Sequence, residues 1–200
     1  MHHRMTPMSA NTTAERMTIH RKVILYIAMS LDGYIARKDD GLEWLSDVER
    51  TGEDYGYGEF IKNVDTVIIG RRTYETVLSL GVPFPHAERE CYIVTRSERA
   101  ADGKLIFYNK DIKELVESLK RKPGSNIFVD GGAELVNTLL RHDLIDEYII
   151  SVIPVFLGDG ISLFSGSRPE EKLGLVSVKN FESGVVQLHY RKRHKEITHR

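Results

Sequence analysis

The stretch NIFVDGGAELVNTLL, residues 126–140, decides the fold class of this sequence. Its apolar first half predicts a buried strand, and the apolar spacing after Gly131 and Gly132 predicts an amphipathic helix. Two glycines between a strand and a helix let a backbone approach a diphosphate closely, and the free amides at the helix N-terminus stabilise the anion. A tight turn that simply requires glycine is the alternative interpretation.

The same alternation of strands and helices continues on both sides of this stretch. Residues 111–121, DIKELVESLKR, place apolar side chains at helical spacing, which predicts a second amphipathic helix. Two alternating runs around residues 182–184 predict a C-terminal antiparallel hairpin. These elements together predict an α/β fold with a mostly parallel central sheet. Short β-branched runs predict its other strands, at residues 22–30, 66–70, 91–95, 104–108 and 147–156, and the longest predicted loops are residues 37–51, 81–90 and 158–172.

The composition limits the class of protein. The chain has 200 residues, 28 Lys and Arg against 29 Asp and Glu, a formal net charge of −1 and 41% hydrophobic residues. This balance predicts one globular domain, residues 21–193, with no nucleic-acid partner. Its apolar runs are much shorter than the about 20 residues of a membrane-spanning helix, so we expect no membrane partner. Cys91 is the only cysteine, which excludes an intramolecular disulfide and favours a cytoplasmic protein in which this thiol is a small buried side chain.

The two ends of the chain differ from its centre. Residues 1–20 lack the apolar segment of a secretory signal, and we expect them to form a disordered tail. Residues 194–200 continue a basic run, HYRKRHKEITHR, that suits either nucleic acid or solvent. We expect a solvated tail, because the chain as a whole carries almost no net charge.

Two further strand ends carry side chains suited to phosphate. In TVIIGRRTYETV, residues 66–77, two arginines follow the strand glycine in the first turn of a predicted helix. Cations are unfavourable there unless they face an anion, so the pattern favours a phosphate partner over solvated arginines. The dinucleotide motif GxGxxG and the phosphate-loop motif GxxxxGK[ST] are both absent from the sequence. The second strand end follows the predicted strand at residues 91–95 and carries Thr95 and Arg96. The first carries Gly70, Arg71, Arg72 and Thr73.

In their order and spacing these motifs resemble the dihydrofolate reductase superfamily, in particular the branch that includes the reductase domain of riboflavin biosynthesis. The resemblance covers residues 21–193. It implies a three-layer αβα fold, NADPH as cofactor, hydride transfer to a C=N or carbonyl group of a small heterocycle or ribosylamino-pyrimidine, and a homodimer. The motifs that carry it are YIAMSLDGYIA (26–36), GRRTYE (70–75), VTRS (94–97), FVDGG (128–132) and LIDEYIISVIPVFLGDGISLF (144–164).

The resemblance also implies where the cofactor binds. In this superfamily the turn with two glycines holds the diphosphate, which corresponds here to Gly131, Gly132, Ala133, Glu134 and Leu135. The arginine after the strand glycine holds the 2′-phosphate, which corresponds to Arg71. The neighbouring positions are Gly70, Arg72 and Thr73 near the diphosphate, Thr95 and Arg96 around the adenosine, and Ala28, Ile35 and Ala36 beside the nicotinamide.

Hydride transfer to a C=N group also requires a proton, and a half-buried carboxylic acid is the usual donor. In dihydrofolate reductases that acid lies on the helix before the strand that ends in Gly-Arg. Asp54 stands 16 residues before Gly70, which predicts Asp54 as the catalytic acid, shielded by neighbouring aromatic residues so that its pKa is raised. An acidic surface loop is the alternative interpretation. The competing acids are Asp47, Glu49 and Glu53.

The candidate substrate-binding residues are Tyr26, Trp44 and Arg89. Arg89 resembles the basic residue that binds the carboxylate of folate, although a charge before a strand also serves solubility alone. Riboflavin reductases carry a basic residue and an acidic-proline motif where this chain has Tyr34 and TVLSLGVPF, residues 76–84. This difference counts against the phosphoribosyl substrate, and an unassigned pyridine-nucleotide reductase function stands as an equal alternative to both substrates.

The sequence lacks the motifs of other classes of protein. The sequence has no G-x-S-x-G hydrolase motif, and its histidines have no HExxH or comparable spacing, so we expect no metal site. A non-catalytic NADPH-binding sensor on the same fold is the alternative to a reductase, because the cofactor motifs outnumber the substrate motifs.

Overall fold

An eight-stranded sheet forms the centre of the structure, a computed structural model that describes residues 21–193. The ten strands of this region are β1 (Val23–Ser30), β2 (Tyr34–Ala36), β3 (Val64–Gly70), β4 (Glu90–Val94), β5 (Leu105–Tyr108), β6 (Asn126–Gly131), β7 (Glu147–Ile153), β8 (Ile161–Ser162), β9 (Leu173–Asn180) and β10 (Val186–Lys192). Strands β2 and β8 pair with each other in a separate small sheet.

The main sheet has the order β5-β4-β3-β6-β1-β7-β10-β9. The six strands from β5 to β7 run parallel, whereas β10 pairs antiparallel with both β7 and β9. The predictions of a mostly parallel sheet and of a C-terminal antiparallel hairpin are therefore confirmed.

Helices cover both faces of this sheet. They are α1 (Tyr57–Ile61), α2 (Arg71–Ser79), α3 (Ile112–Arg121) and α4 (Ala133–Arg141), and a 3-10 helix spans Glu43–Val48. The alternation of side chains along β6 separates the two cores: Val129 packs with α3 and α4, whereas Phe128 packs with α1 and α2. The result is the predicted three-layer αβα fold.

The predicted loops at residues 37–51 and 158–172 contain short regular elements. The 3-10 helix lies in the first loop and β8 lies in the second. Neither element has a periodic apolar pattern that would predict it. Each is held in place by contacts with distant residues instead. Trp44 of the 3-10 helix is buried against Ile153 and Val185, which lie more than a hundred residues along the chain.

Other predictions concern the two tails, a membrane-spanning helix, a metal site and the single cysteine. The predicted tails, residues 1–20 and 194–200, lie outside the described residues. Within residues 21–193, no helix is long and apolar enough to cross a membrane, and the side chains form no group of three or more His, Cys, Asp or Glu that could hold a metal ion. Cys91 is fully buried, as predicted, and burial raises the pKa of its thiol to about 12.

Candidate active site

The three phosphate-type motifs lie at one edge of the sheet. Strands β4, β3 and β6 are adjacent and parallel, so their carboxyl ends meet at the same edge. The registers pair Gly70 with Val94 and Ile69 with Gly131. The structure therefore brings together strand ends that are separated by tens of residues in the sequence.

Helices α2 and α4 begin side by side at this edge, and neither start is capped by a side chain. By contrast, α3 is capped by Asp111, whose carboxylate accepts hydrogen bonds from the amides of Lys113 and Glu114. The first amides of a helix have no partner within the helix, and together with the helix dipole they attract anions. Two uncapped helix starts placed next to each other are suited to a diphosphate.

The glycines of this edge are required by close packing. A Cβ atom on Gly132 would lie 2.8 Å from Thr73 Oγ1, and one on Gly70 would lie 3.3 Å from the Gly132 nitrogen. Gly131 has a φ of +104°, which is strained for any other residue, and the Gly131-Gly132 peptide is cis. The two interpretations of this turn are thus compatible, because a turn that requires glycine also presents its backbone, here called the glycine cradle, at the starts of both helices.

Each arginine of the edge forms an ion pair with a carboxylate of the protein. Arg71 contacts Glu75 at 2.8 Å, Arg72 contacts Asp40 at 2.7 Å, and Arg96 contacts Glu134 at 2.6 Å. All three guanidinium groups are exposed. Exposed ion pairs of this kind contribute only about 0–1 kcal/mol, so a phosphate group can replace the carboxylates at low cost.

The residues predicted beside the nicotinamide lie on two neighbouring strands. Ala28 is on β1, where it packs against the cluster of Trp44 and Val185, and Ile35 and Ala36 are on β2. The indole Nε1 of Trp44 is buried and has no hydrogen-bond partner in the described part of the chain. A buried donor without a partner is costly and rare in folded proteins.

Tyr26 belongs to a polar network on the α1 face of the sheet. Its hydroxyl donates to the carbonyl oxygen of Tyr55 at 3.0 Å and accepts from Gln187 Nε2 at 3.2 Å. Gln187 also donates to Ser151 Oγ at 3.1 Å. The ring of Tyr26 stacks on Phe60 with a centroid distance of 4.6 Å, and burial raises the pKa of its phenol. The predicted substrate residue Tyr26 therefore belongs to an aromatic cluster with Tyr57 and Phe60, and its hydroxyl belongs to a polar network.

The prediction that Asp54 is a shielded acid with a raised pKa is wrong. Its side chain is exposed, and its carboxylate accepts hydrogen bonds from the amides of Gly56 at 2.8 Å and Gly58 at 2.9 Å. These bonds stabilise the ionised form and lower the pKa of Asp54. The physical reason is that α1 has only five residues and begins at Tyr57, after Asp54. The competing acids, Asp47, Glu49 and Glu53, are exposed as well.

A different carboxylate, Asp130, lies at the site. It precedes Gly131 on β6 and shares the α1 face with Phe128, two residues earlier. Leu25 pairs with Val129, which places Tyr26 and Asp130 next to each other on adjacent strands. His86 Nε2 lies 2.9 Å from Asp130 Oδ2. Burial and the negative charge of Asp130 raise the pKa of Tyr57 to about 12. The sequence signal for this group is an aspartate directly before the two glycines, which our sequence reasoning did not use.

The chain matches a known protein family over most of its length. The model of the RibD C-terminal domain matches residues 21–187. The chain belongs to this family. The uncharacterized protein YwjB of Bacillus subtilis (strain 168) is 47% identical over 173 residues, which are 86% of this chain and 98% of YwjB. The uncharacterized protein YyaP of the same organism is 33% identical over 182 residues, which are 85% of this chain and 94% of YyaP.

Solved structures share the fold of this RibD C-terminal domain. A Shewanella sp. PV-4 protein provisionally assigned to riboflavin biosynthesis has a TM-score of 0.80 at 26% identity, covering 86% of this chain and 99% of that one. The Thermotoga maritima deaminase and 5-amino-6-(5-phosphoribosylamino)uracil reductase has a TM-score of 0.65 at 19% identity, covering 87% and 57%. Dihydrofolate reductase from Enterococcus faecalis, complexed with NADP(H) and RAB-propyl, has a TM-score of 0.61 at 15% identity, covering 86% and 96%. The predicted resemblance to this superfamily and branch is confirmed.

In this RibD C-terminal domain the predicted substrate-binding residue Arg89 lies away from the carboxyl edge of the sheet. It precedes β4 at the amino edge of the sheet, opposite the glycine turn, and its guanidinium donates to the carbonyl oxygens of Val64 and Ile61, each at 3.3 Å. In this position Arg89 anchors the end of α1 to the start of β3. The other predicted residues, apart from Asp54, lie at or beside the carboxyl edge.

Proposed function

We propose that the protein is an NADPH-dependent reductase that transfers a hydride to a C=N or carbonyl carbon of a small nitrogen heterocycle. The observation that carries this proposal is the placement of Asp130. This carboxylate directly precedes the glycine cradle on β6, and it lies on the face of the sheet that carries Tyr26 and α1. A glycine cradle suited to a diphosphate and aromatic side chains suited to a flat ring thus lie at one strand end.

The cofactor fits the residues present. The uncapped starts of α2 and α4 would hold the diphosphate through their first amides. Arg71 would bind the 2′-phosphate, with Arg72, Thr95 and Arg96 beside it, and Ala28 offers a small side chain next to the ring. Bound NADPH supplies a hydride from its nicotinamide.

The substrate side of the site is assigned to three side chains. Asp130 accepts a hydrogen bond from an N–H of the heterocycle and so fixes the orientation of the ring. Tyr26 contributes its flat face, and Tyr57 remains a neutral hydrogen-bond donor at physiological pH because its pKa is about 12. A neutral donor next to the reduced nitrogen or oxygen stabilises the negative charge that develops there while the proton is delivered from water.

Anaerobic NADPH oxidation, followed by absorbance, tests this function against a panel of dihydropteridines, ribosylamino-pyrimidines and simple imines. We expect at least one acceptor to be reduced. Asp130→Asn should lower kcat/KM by about 10–100-fold, since a charge-assisted hydrogen bond contributes about 1.5–3 kcal/mol.

Asp54→Asn is the matched control, because it makes the same chemical change at an exposed position in the turn before α1. Asparagine keeps one acceptor oxygen for the amides of Gly56 and Gly58, and Asp54 is assigned no contact with the substrate, so kcat/KM should stay within about twofold. NADPH binding without acceptor-dependent oxidation across the whole panel would contradict the reductase and support the non-catalytic sensor instead.

A further inference from the structure

His86 is a buried side chain that the proposed function does not use. It lies in the predicted loop at residues 81–90, yet only 2% of its side chain is exposed. Its ring stands edge-on to Phe84 and Phe128, with centroid distances of 5.3 and 5.6 Å. One ring nitrogen, Nε2, lies 2.9 Å from Asp130 Oδ2. The other, Nδ1, is buried and has no hydrogen-bond partner among residues 21–193.

The unpartnered Nδ1 determines which ring nitrogen carries the proton. A proton on Nδ1 would create a buried N–H without an acceptor, and buried N–H groups of that kind are rare in native proteins. The doubly protonated ring carries the same unpartnered N–H and is disfavoured for the same reason. The neutral form with its proton on Nε2 leaves only a lone pair at Nδ1 and donates a hydrogen bond to Asp130.

This tautomer fixes the role of each oxygen of Asp130. Oδ2 accepts the hydrogen bond from His86, so it carries no proton of its own. The Asp130 side chain is 25% exposed, which leaves Oδ1 as the oxygen available to a ligand. A carboxylate that is held in this way accepts hydrogen bonds and does not donate them.

We propose that His86 is a positioning residue that holds Asp130 as a fixed hydrogen-bond acceptor and thereby selects substrates that present an N–H, such as the ring N–H or amino group of a pyrimidine or pteridine. The selection of substrate rests on the proposed function. The pairing of His86 with Asp130 does not, so the two can be tested separately.

The first test uses the full chain without any substrate. Long-range ¹H–¹⁵N NMR of the histidine ring nitrogens, with the His86 signals assigned by their loss in His86→Gln, reports the tautomer. We expect the pattern of a neutral ring protonated at Nε2, and we expect it to change in Asp130→Ala. A ring protonated at Nδ1, a doubly protonated ring at neutral pH, or signals unchanged in Asp130→Ala would overturn the pairing.

The second test measures kcat, KM and NADPH affinity with an acceptor that the wild type reduces. His86→Leu removes the donor and should lower kcat/KM by about 10-fold or more. His86→Gln keeps an N–H donor and should restore kcat/KM to within about fivefold of the wild type. NADPH affinity should stay within about twofold in both variants, as it should in His142→Gln, an exposed control at the end of α4.

Substrate selection has its own readout. The wild type should prefer an acceptor with a free N–H over its N-methyl analogue, and His86→Leu should lose most of that preference. An unchanged preference in His86→Leu, or equal loss of kcat/KM and NADPH binding in both His86 variants, would show a purely structural role. If the wild type reduces no acceptor, the proposed function fails, and the NMR measurement still decides whether His86 holds Asp130.

Discussion

Replacing Arg71 by alanine should weaken NADPH binding and leave NADH binding nearly unchanged. A charge-assisted hydrogen bond to the 2′-phosphate contributes about 1.5–3 kcal/mol. Binding must first release Arg71 from Glu75, and that exposed ion pair is worth about 0–1 kcal/mol. The difference is about 0.5–3 kcal/mol, so Arg71→Ala should raise the Kd for NADPH by about 2- to 150-fold.

Titration of both cofactors, followed by nicotinamide fluorescence or calorimetry, measures this effect. Glu75→Gln is the complementary variant, since it frees Arg71 from its partner and should lower the Kd for NADPH by up to about fivefold. Arg121→Ala, an exposed arginine in the last turn of α3, is the control. Equal affinity of the wild type for NADPH and NADH, or equal weakening of both in Arg71→Ala, would refute the assignment of Arg71 to the 2′-phosphate.

Three further predictions follow from the geometry. Gly132→Val should weaken NADPH and NADH alike, because a side chain there begins 2.8 Å from Thr73 Oγ1 and fills the cradle; a folded variant that binds both cofactors normally would place the dinucleotide elsewhere. Tyr57→Phe should lower kcat by about 10-fold at every pH in the neutral range, since the phenol with a pKa of about 12 is protonated throughout; Tyr190→Phe, on the opposite face, should not change kcat. The Cys91 thiol should resist disulfide reagents in the folded protein, and because its pKa rises from 9.0 to about 12 on folding, the unfolding free energy should fall as pH rises through that range; rapid labelling of native protein would contradict its burial.

The sequence predicted the sheet and its helices because their signals are local. The β-branched runs of β3 and β6 and the helical spacing in α3 each lie within about ten residues. Parallel strands end at a common edge, so the motifs after these strands also predicted where the phosphate-type residues meet.

The partners of the site residues could not be predicted in this way. Asp40 is 32 residues from Arg72, and Glu134 is 38 residues from Arg96. These ion pairs depend on how loops and helices pack, and no local pattern records that packing. The sequence therefore predicted cations at the edge and missed the ion pairs that Arg72 and Arg96 form with Asp40 and Glu134.

The choice of acid failed for a related reason. A spacing counted along the chain placed Asp54 on a helix, but the early glycines shorten α1 and leave Asp54 in the turn before it. Asp130 and His86 are 44 residues apart and meet only in the folded protein. The available signal was a carboxylate at the end of an apolar strand, where burial without a partner is costly and a functional reason is expected.

Hydride transfer itself is tested most directly with NADPH deuterated at the nicotinamide C4. The wild type is incubated anaerobically with an acceptor from the panel, and the product is analysed by mass spectrometry. The proposed function predicts a product that carries one deuterium on the reduced carbon, formed much more slowly by Asp130→Asn and at the wild-type rate by Asp54→Asn. A product without deuterium from either face of the nicotinamide, or no product from any acceptor while NADPH still binds, would contradict it.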